Sequence, residues 1–435
     1  MDLCQDKMKR VFSCCNVRKP VTGLVVTVLV LALLLVLKAI NRVGCPQFWA
    51  EDGNIFFAEL LRSGWRSLFV VYAGYLHMGT RLCAACAMAF DPINAPVVFF
   101  YAAFLVQLIV MIVIARCGVF RSFVLGFVAA ATLAFQPFDG CAEVFFNLTD
   151  LHWVLSLLIP ISLIGPECRF KSVSYWVRVV VHCLIAVTNP YAILFAPVHF
   201  VRAGFRRHCA AEVAYFLAAT AFCGIQAVVL AFNLSSMASE VMTTVEVVRG
   251  YVAYLVRLGV GWVLPPSVFR EVFAMLTFRQ GASWVGLAGL MYWLVAMILM
   301  IYGIILVGVR RAFSCIWVFV LCGGAAVVAG LGRGPLVYCS DRFFYVPYVL
   351  LLMSLLKLIE VENVTHRARI VLGLVVGMCF ISSVPCYVLS ELDDLHWKQE
   401  YSAALKDRSH LIKLHPVLNP RWHLLLPEQI QDWAR

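Results

Sequence analysis

The run from Val21 to Ile40 carries one charge, Lys38, and otherwise consists of apolar and small residues. A helix needs about 20 such residues to cross a ~30 Å hydrocarbon core. The run is flanked upstream by Lys7, Lys9, Arg10, Arg18 and Lys19. It is longer than a signal-peptide core, so it reads as a retained anchor with residues 1–20 on the cytoplasmic side. The same pattern recurs at Pro96–Ala115, Ser122–Gln136, Leu151–Gly165, Trp176–Thr188, Tyr191–Val201, Ala211–Phe232, Trp284–Val309, Ser314–Leu331, Phe343–Leu358 and Ile370–Leu389. These segments predict an all-α polytopic membrane protein with about eleven transmembrane helices between residues 21 and 389.

Composition supports that class. The chain is 63% hydrophobic and 14% charged, against about 25% charged residues in soluble domains. On this topology the inner connections carry Arg116 and Arg121, then Arg169, Lys171 and Arg178, then Arg202, Arg206 and Arg207. Further along come Arg310 and Arg311, then Lys357, Arg367 and Arg369. Every expected inner connection is basic, so the net charge of +11 reads as an orientation signal and an attraction to anionic lipid, not as a nucleic-acid footprint. The outer face then holds residues 42–95, 137–150, 233–283 and 332–342, with residues 390–435 as an outer C-terminal tail.

Two short apolar runs meet at Thr188-Asn189-Pro190. Proline and the residue before it disfavour a continuous helix, so two short helices are expected to turn there and leave a recess on the outer side. The alternative, one kinked helix, would invert everything downstream. Basic residues at both far ends, Arg178 and Arg202, favour the turn.

The 17 cysteines mostly lie in apolar runs, where a thiol behaves as a small hydrophobe. Cys83 and Cys86 form a C-x-x-C without a second pair or histidines nearby, so no metal site is expected. Cys14-Cys15 beside the first run could accept a lipid.

Chemistry-bearing residues concentrate on the expected outer face. Glu51-Asp52, in PQFWAEDGNIFF, follows the first span directly, and carboxylates at a membrane boundary are costly unless paired or wetted. An interfacial helix should follow, with Phe56, Phe57, Leu60 and Leu61 toward lipid and Glu59, Arg62 and Arg66 toward water. YAGYLHMGTR adds Tyr75, His77 and Arg81, which suit either sugar and phosphate contact or an aromatic interfacial belt. FDGCAEVFFNLTDLHW adds Asn147, Thr149, Asp150, His152 and Trp153, where one of Thr149 or Asp150 would serve as a helix cap. RGPLVYCSDRFFYVPYVLL places Asp341-Arg342 at the start of a span. Arg342 keeps its charge and needs an anion, either Asp341 or a lipid phosphate reached with help from Arg333 and Tyr345. Arg249, Tyr251, Tyr254 and Arg257 lie in the third outer region, on either a donor groove or an ordinary helix face.

WAEDGNIFF, YAGYLHMGTRL, NLTDLHW, SDRFFYVPY and the tail's LHPVLNPRWHLLL, taken in order, resemble the bacterial multi-spanning GT-C glycosyltransferases that use polyprenyl-phosphate sugars. In size and layout the chain is similar to those that modify envelope polysaccharides, such as phage-type serotype-converting O-antigen glucosyltransferases. The resemblance implies an inverting hexosyl transfer on the outer face of a bacterial inner membrane. The donor would be a polyprenyl-phosphate-linked sugar and the acceptor an envelope glycan such as the O-antigen of lipopolysaccharide. It also implies a base in the first outer loop, matching Glu51 or Asp52, and a cation on the departing phosphate.

Asp52 is the expected base because Gly53 beside it permits close backbone approach by a ligand. Arg342 is the expected phosphate contact, then Arg81 and Tyr345. Tyr75, His77, Asn147, Asp150, His152 and Asp341 are the remaining sugar or acceptor candidates. No metal and no cofactor beyond the donor is expected. The tail, with Trp397, Trp422 and Pro416 to Pro420, should form a small, largely extended cap without a core of its own. The rival expectation is a lipid-linked sugar flippase or transporter.

Overall fold

A computed structural model of the chain describes residues 21–137, 143–164, 173–205, 207, 209–233, 256–276, 283–332, 342–407, 409–416 and 423–426. Cys14-Cys15, Arg169, Lys171, Arg206, Arg249, Tyr251, Tyr254, Arg333, Asp341, Pro420 and Trp422 lie outside the described residues.

The protein is predominantly helical. In chain order the helices are α1 (Val21–Lys38), α2 (Ala58–Ser63), α3 (Met78–Ala85), α4 (Ala95–Arg116), α5 (Phe123–Ala131), α6 (Leu151–Ser156), α7 (Leu158–Ile164) and α8 (Val173–Ala186). They continue as α9 (Tyr191–Phe205), α10 (Ala210–Phe232), α11 (Pro266–Leu276), α12 (Trp284–Val307), α13 (Val309–Gly332), α14 (Arg342–Ile359), α15 (His366–Ser383) and α16 (Trp397–Lys406). Two antiparallel ribbons accompany them: β1 (Val71–Tyr72) with β2 (Tyr75–Leu76), and β3 (Ile412–Lys413) with β4 (His423–Leu424). Their registers pair Val71 with Leu76 and Ile412 with Leu424.

Local chemistry sets the helix starts. Ser122, Ser283 and Thr365 accept from the amides of Leu125, Gly286 and Ala368, satisfying donors that the first turn leaves open. Among the described residues, four helical segments are long and apolar enough to cross a membrane: Pro92–Arg116, Ala210–Phe232, Trp284–Val307 and His366–Cys386. Gly23–Lys38, Leu151–Ile164, Tyr175–Ala186, Cys315–Val327 and Phe344–Ile359 are apolar but shorter.

Helix α12 shows what covers the bundle. Trp284, Met291, Ile298 and Ile305, seven residues apart, are all more than half exposed, which makes one continuous apolar stripe directed outward. Its inward face is built on small residues. A Cβ on Gly303 would come within 2.7 Å of Leu372 on α15, the close approach that small residues give membrane helices.

Helix α14 is the opposite case. Phe344, Tyr345, Val346, Tyr348, Val349, Leu350, Leu352, Met353, Leu355 and Leu356 are all essentially inaccessible, so α14 is apolar all round because it is the centre of the bundle. It packs along α13 and α15, and its first residue is Arg342.

The turn at residues 188–190 folds the chain back on itself. The His182 and His199 rings lie 4.7 Å apart, although 17 helical residues would separate them by about 25 Å. The kinked-helix alternative is therefore excluded.

Several expected details differ. Residues 151–164 break at Leu157 into α6 and α7, and α5 ends at Ala131. Only Gly308, with φ of +88°, separates α12 from α13. Arg310 and Arg311 therefore lie in the first turn of a helix and not in a loop. Phe56, Phe57 and Leu60 are buried in protein, not laid in an interface. Among the described residues the tail contains one helix, α16, and the β3–β4 ribbon.

Candidate functional site

The segment that follows α1 is fastened before it reaches Glu51-Asp52. Lys38 Nζ donates to the Tyr387 carbonyl at 3.1 Å, Arg42 Nε to the Ser390 carbonyl at 2.9 Å, and the Ala50 amide to the His415 carbonyl at 2.5 Å. Trp397 packs edge-on to Phe48 at 4.9 Å and donates from its indole to the Ile93 carbonyl. The tail thus shares the core of this segment.

Gly53 owes its size to the same contact. A Cβ there would meet Leu414 side-chain carbons at 2.8 and 2.9 Å. The glycine admits the tail, and the argument that it makes room for a ligand at Asp52 does not hold.

Asp52 opens a π-helical turn, Asp52–Phe57, and points inward. Its Oδ2 accepts from the Leu148 amide at 2.9 Å, and its Oδ1 accepts from the Thr149 amide and hydroxyl at 2.8 and 2.6 Å. Burial pushes its pKa up to about 7, opposed by these three donors. Asp52 is therefore a clasp between the segment that follows α1 and the 143–150 connection.

Glu51 is half-buried. The Tyr72 hydroxyl donates to its Oε1 at 3.4 Å. Desolvation raises its pKa, its own backbone hydrogen bond and Arg342 oppose the rise, and Glu143 adds to it.

Arg342, at the head of the central helix, lies 3.5 Å from Asp150 and 3.6 Å from Glu143. Its side chain keeps 30% exposure and that of Glu143 keeps 32%, while Asp150 is buried. The Asp150 carboxylate also accepts from the Trp153 indole at 3.0 Å. Burial moves its pKa up to about 7, with Arg342 as the chief opposing influence. Glu51, Glu143 and Arg342 thus form the open rim of an acidic cluster, and Asp52 and Asp150 form its floor.

The remaining candidates build the wall. Asn147 accepts from the Asp150 amide at 3.0 Å and donates to the Glu143 carbonyl, which shapes the 143–150 turn. His152 Nδ1 pairs with the Thr149 carbonyl at 2.9 Å. His77 stacks on Tyr75 at 4.1 Å and lies 5.5 Å from Phe56 and from Tyr72. These rings, with His152, Trp153 and Tyr191, are packed on one another and buried, Tyr72 excepted. Arg81 is 1% exposed and ion-paired with Glu59 at 2.6 Å beneath Phe56. Glu59 therefore pairs with Arg81 while keeping 25% exposure. Tyr345 is fully buried, with its hydroxyl on the Leu133 carbonyl.

Four contributors escaped the sequence reading. Glu143 had a visible signal, a carboxylate in the same connection as Asp150. Thr188 accepts from the Gly79 amide at 2.7 Å, and Asn189 donates to the His152 carbonyl at 2.7 Å, so the α8–α9 turn closes the wall. Gln226 of α10 pairs with both the amide and the carbonyl of Leu76, as a neighbouring strand would. Thr188 and Asn189 were legible only as a turn, and Gln226, an uncharged residue within α10, has no local mark.

The described residues hold no group of three or more metal-ligating side chains. No family model matches the chain, and no curated protein or solved structure is similar to it.

Proposed function

We propose that the protein is a GT-C-like membrane glycosyltransferase moving a sugar from a polyprenyl-phosphate donor to a hydroxyl of an envelope glycan such as O-antigen. In this reading about eleven helices cross the bacterial inner membrane, with the N-terminus cytoplasmic and the Glu51 end periplasmic.

The observation that carries the reading is the shared open rim: a carboxylate, Glu51, and a guanidinium, Arg342, coupled within one otherwise buried cluster. Glu51 takes the proton from the attacking hydroxyl, and its desolvated carboxylate is a stronger base than one in water. Arg342 receives the phosphate as the sugar's anomeric carbon leaves it. Asp150 and Glu143 hold the guanidinium in place, and an incoming phosphate competes with them for it. Asp52 acts as a positioning residue, because all its bonds go to Leu148 and Thr149.

The test is release of polyprenyl phosphate by purified protein in lipid nanodiscs, given a panel of polyprenyl-phosphate sugars and a glycan acceptor. Glu51→Gln is expected to lower the rate by about 10²-fold or more. An unchanged rate in that variant overturns the base assignment. Movement of intact donor across vesicles without cleavage would establish a carrier instead.

A further inference from the structure

The α8–α9 hairpin carries a second polar cluster at the end away from its turn. Arg178 is about 15 Å of helix below Thr188, and Arg202 is about 18 Å of helix beyond Pro190. Arg178 pairs with Glu212 at 2.9 Å and lies over the Tyr215 ring at 4.1 Å. The Tyr215 hydroxyl meets His182 Nδ1, and that ring abuts His199.

Two members have polar atoms left over. His199 is fully buried and neither ring nitrogen has a hydrogen-bond partner. Arg202 is partly exposed, yet its Nε and Nη2 are buried and also lack one. Among the described residues Glu212 is the carboxylate facing this space; it pairs with Arg178 at 2.9 Å and also attracts Arg202. Among the described residues two guanidiniums share one carboxylate, which leaves net positive charge beside the buried His199, and charge in so dry a place favours a counter-ion.

We propose that this cluster binds a phosphate group, supplied by an anionic phospholipid whose headgroup sits on Arg202 and His199. A guanidinium's forked donors match phosphate oxygens, and a neutral imidazole adds one more donor. The lipid source follows from the flanks. Trp176, Val177 and Val180 on α8 and Phe200 and Val201 on α9 are all at least half exposed, and they give acyl chains an apolar surface beside the charged cluster. The site is separate from Glu51 and Arg342 and does not depend on the activity proposed for them.

The experiment measures thermal stability of the purified full-length chain in detergent while titrating phosphatidylglycerol, phosphatidylcholine or inorganic phosphate. Phosphatidylglycerol should raise the melting temperature saturably and phosphatidylcholine should not. Arg202→Gln should weaken the apparent affinity about tenfold or more, consistent with loss of a charge-assisted contact. His199→Phe, which keeps an aromatic ring at the site, should weaken it less. Glu51→Gln should leave the response intact. Equal responses to both lipids, or an undiminished response in both Arg202→Gln and His199→Phe, overturn the site. Saturation by inorganic phosphate at the same affinity overturns the lipid assignment.

Discussion

The carboxylate of Asp52 and the hydroxyl of Thr149 are 2.6 Å apart, across 97 positions of sequence. With the amides of Leu148 and Thr149 on the same carboxylate, this contact locks the segment that follows α1 to the turn that leads into α6. Through that turn it also sets where Asp150 meets Arg342. A buried acid with every partner inside the protein is poorly placed to meet a substrate, and its neighbour Glu51 is left on the rim.

Asp52→Ala should therefore destabilise the fold, by about 3 kcal/mol, because it strands two backbone amides and a hydroxyl in a buried place. Glu51→Gln should change stability by no more than about 0.5 kcal/mol, as its side chain is half-buried at the edge. Urea or thermal melts followed by tryptophan fluorescence separate the two. Equal losses would contradict the division of roles between these neighbours.

The raised acids predict a pH dependence of stability. Asp52 and Asp150 titrate near 7 when folded, against an ordinary 3.8. The native state then holds more protons than the unfolded chain between about pH 4 and about pH 7, so stability falls as pH rises through that window. Melting temperature should decline from pH 5 to pH 8, and Asp150→Asn should flatten the slope. A rise over the same range would reverse the sign of the argument.

Gly53→Ala should cost about 1–3 kcal/mol, since its methyl would enter the space of the Leu414 side chain. Combined with Leu414→Ala the loss should be less than the sum of the two single losses. That double-mutant cycle reports whether the tail is seated on the Asp52 segment in solution.

Arg342→Ala should be more damaging than Arg342→Lys, because it leaves Asp150 and Glu143 without their shared cation. Adding Asp150→Asn to Arg342→Ala should restore part of the stability but none of the transfer activity. Recovery of activity along with stability would remove Arg342 from the phosphate role.

The helical class and most of the apolar segments were legible in the sequence because long apolar runs and their basic flanks are local signals. So was the turn at Thr188-Asn189-Pro190, since proline acts on its immediate neighbours. Arg81 shows the limit. Its charge beside aromatics fits a phosphate site equally well as a buried pair with Glu59, and the distance between α2 and α3 decides which. The cap formed by the tail illustrates the same limit, because Leu414, His415 and Trp397 gain meaning only against Phe48, Ala50 and Gly53.

Sequence alone determined that this is a helical, membrane-compatible chain, since hydropathy and charge are read residue by residue. Tertiary structure alone decided which acid of Glu51-Asp52 turns inward. Successive residues in a helical turn point about 100° apart, so one of the pair had to face the core. The open amides of Leu148 and Thr149, brought there by the packing of α4, α6 and α14, selected Asp52.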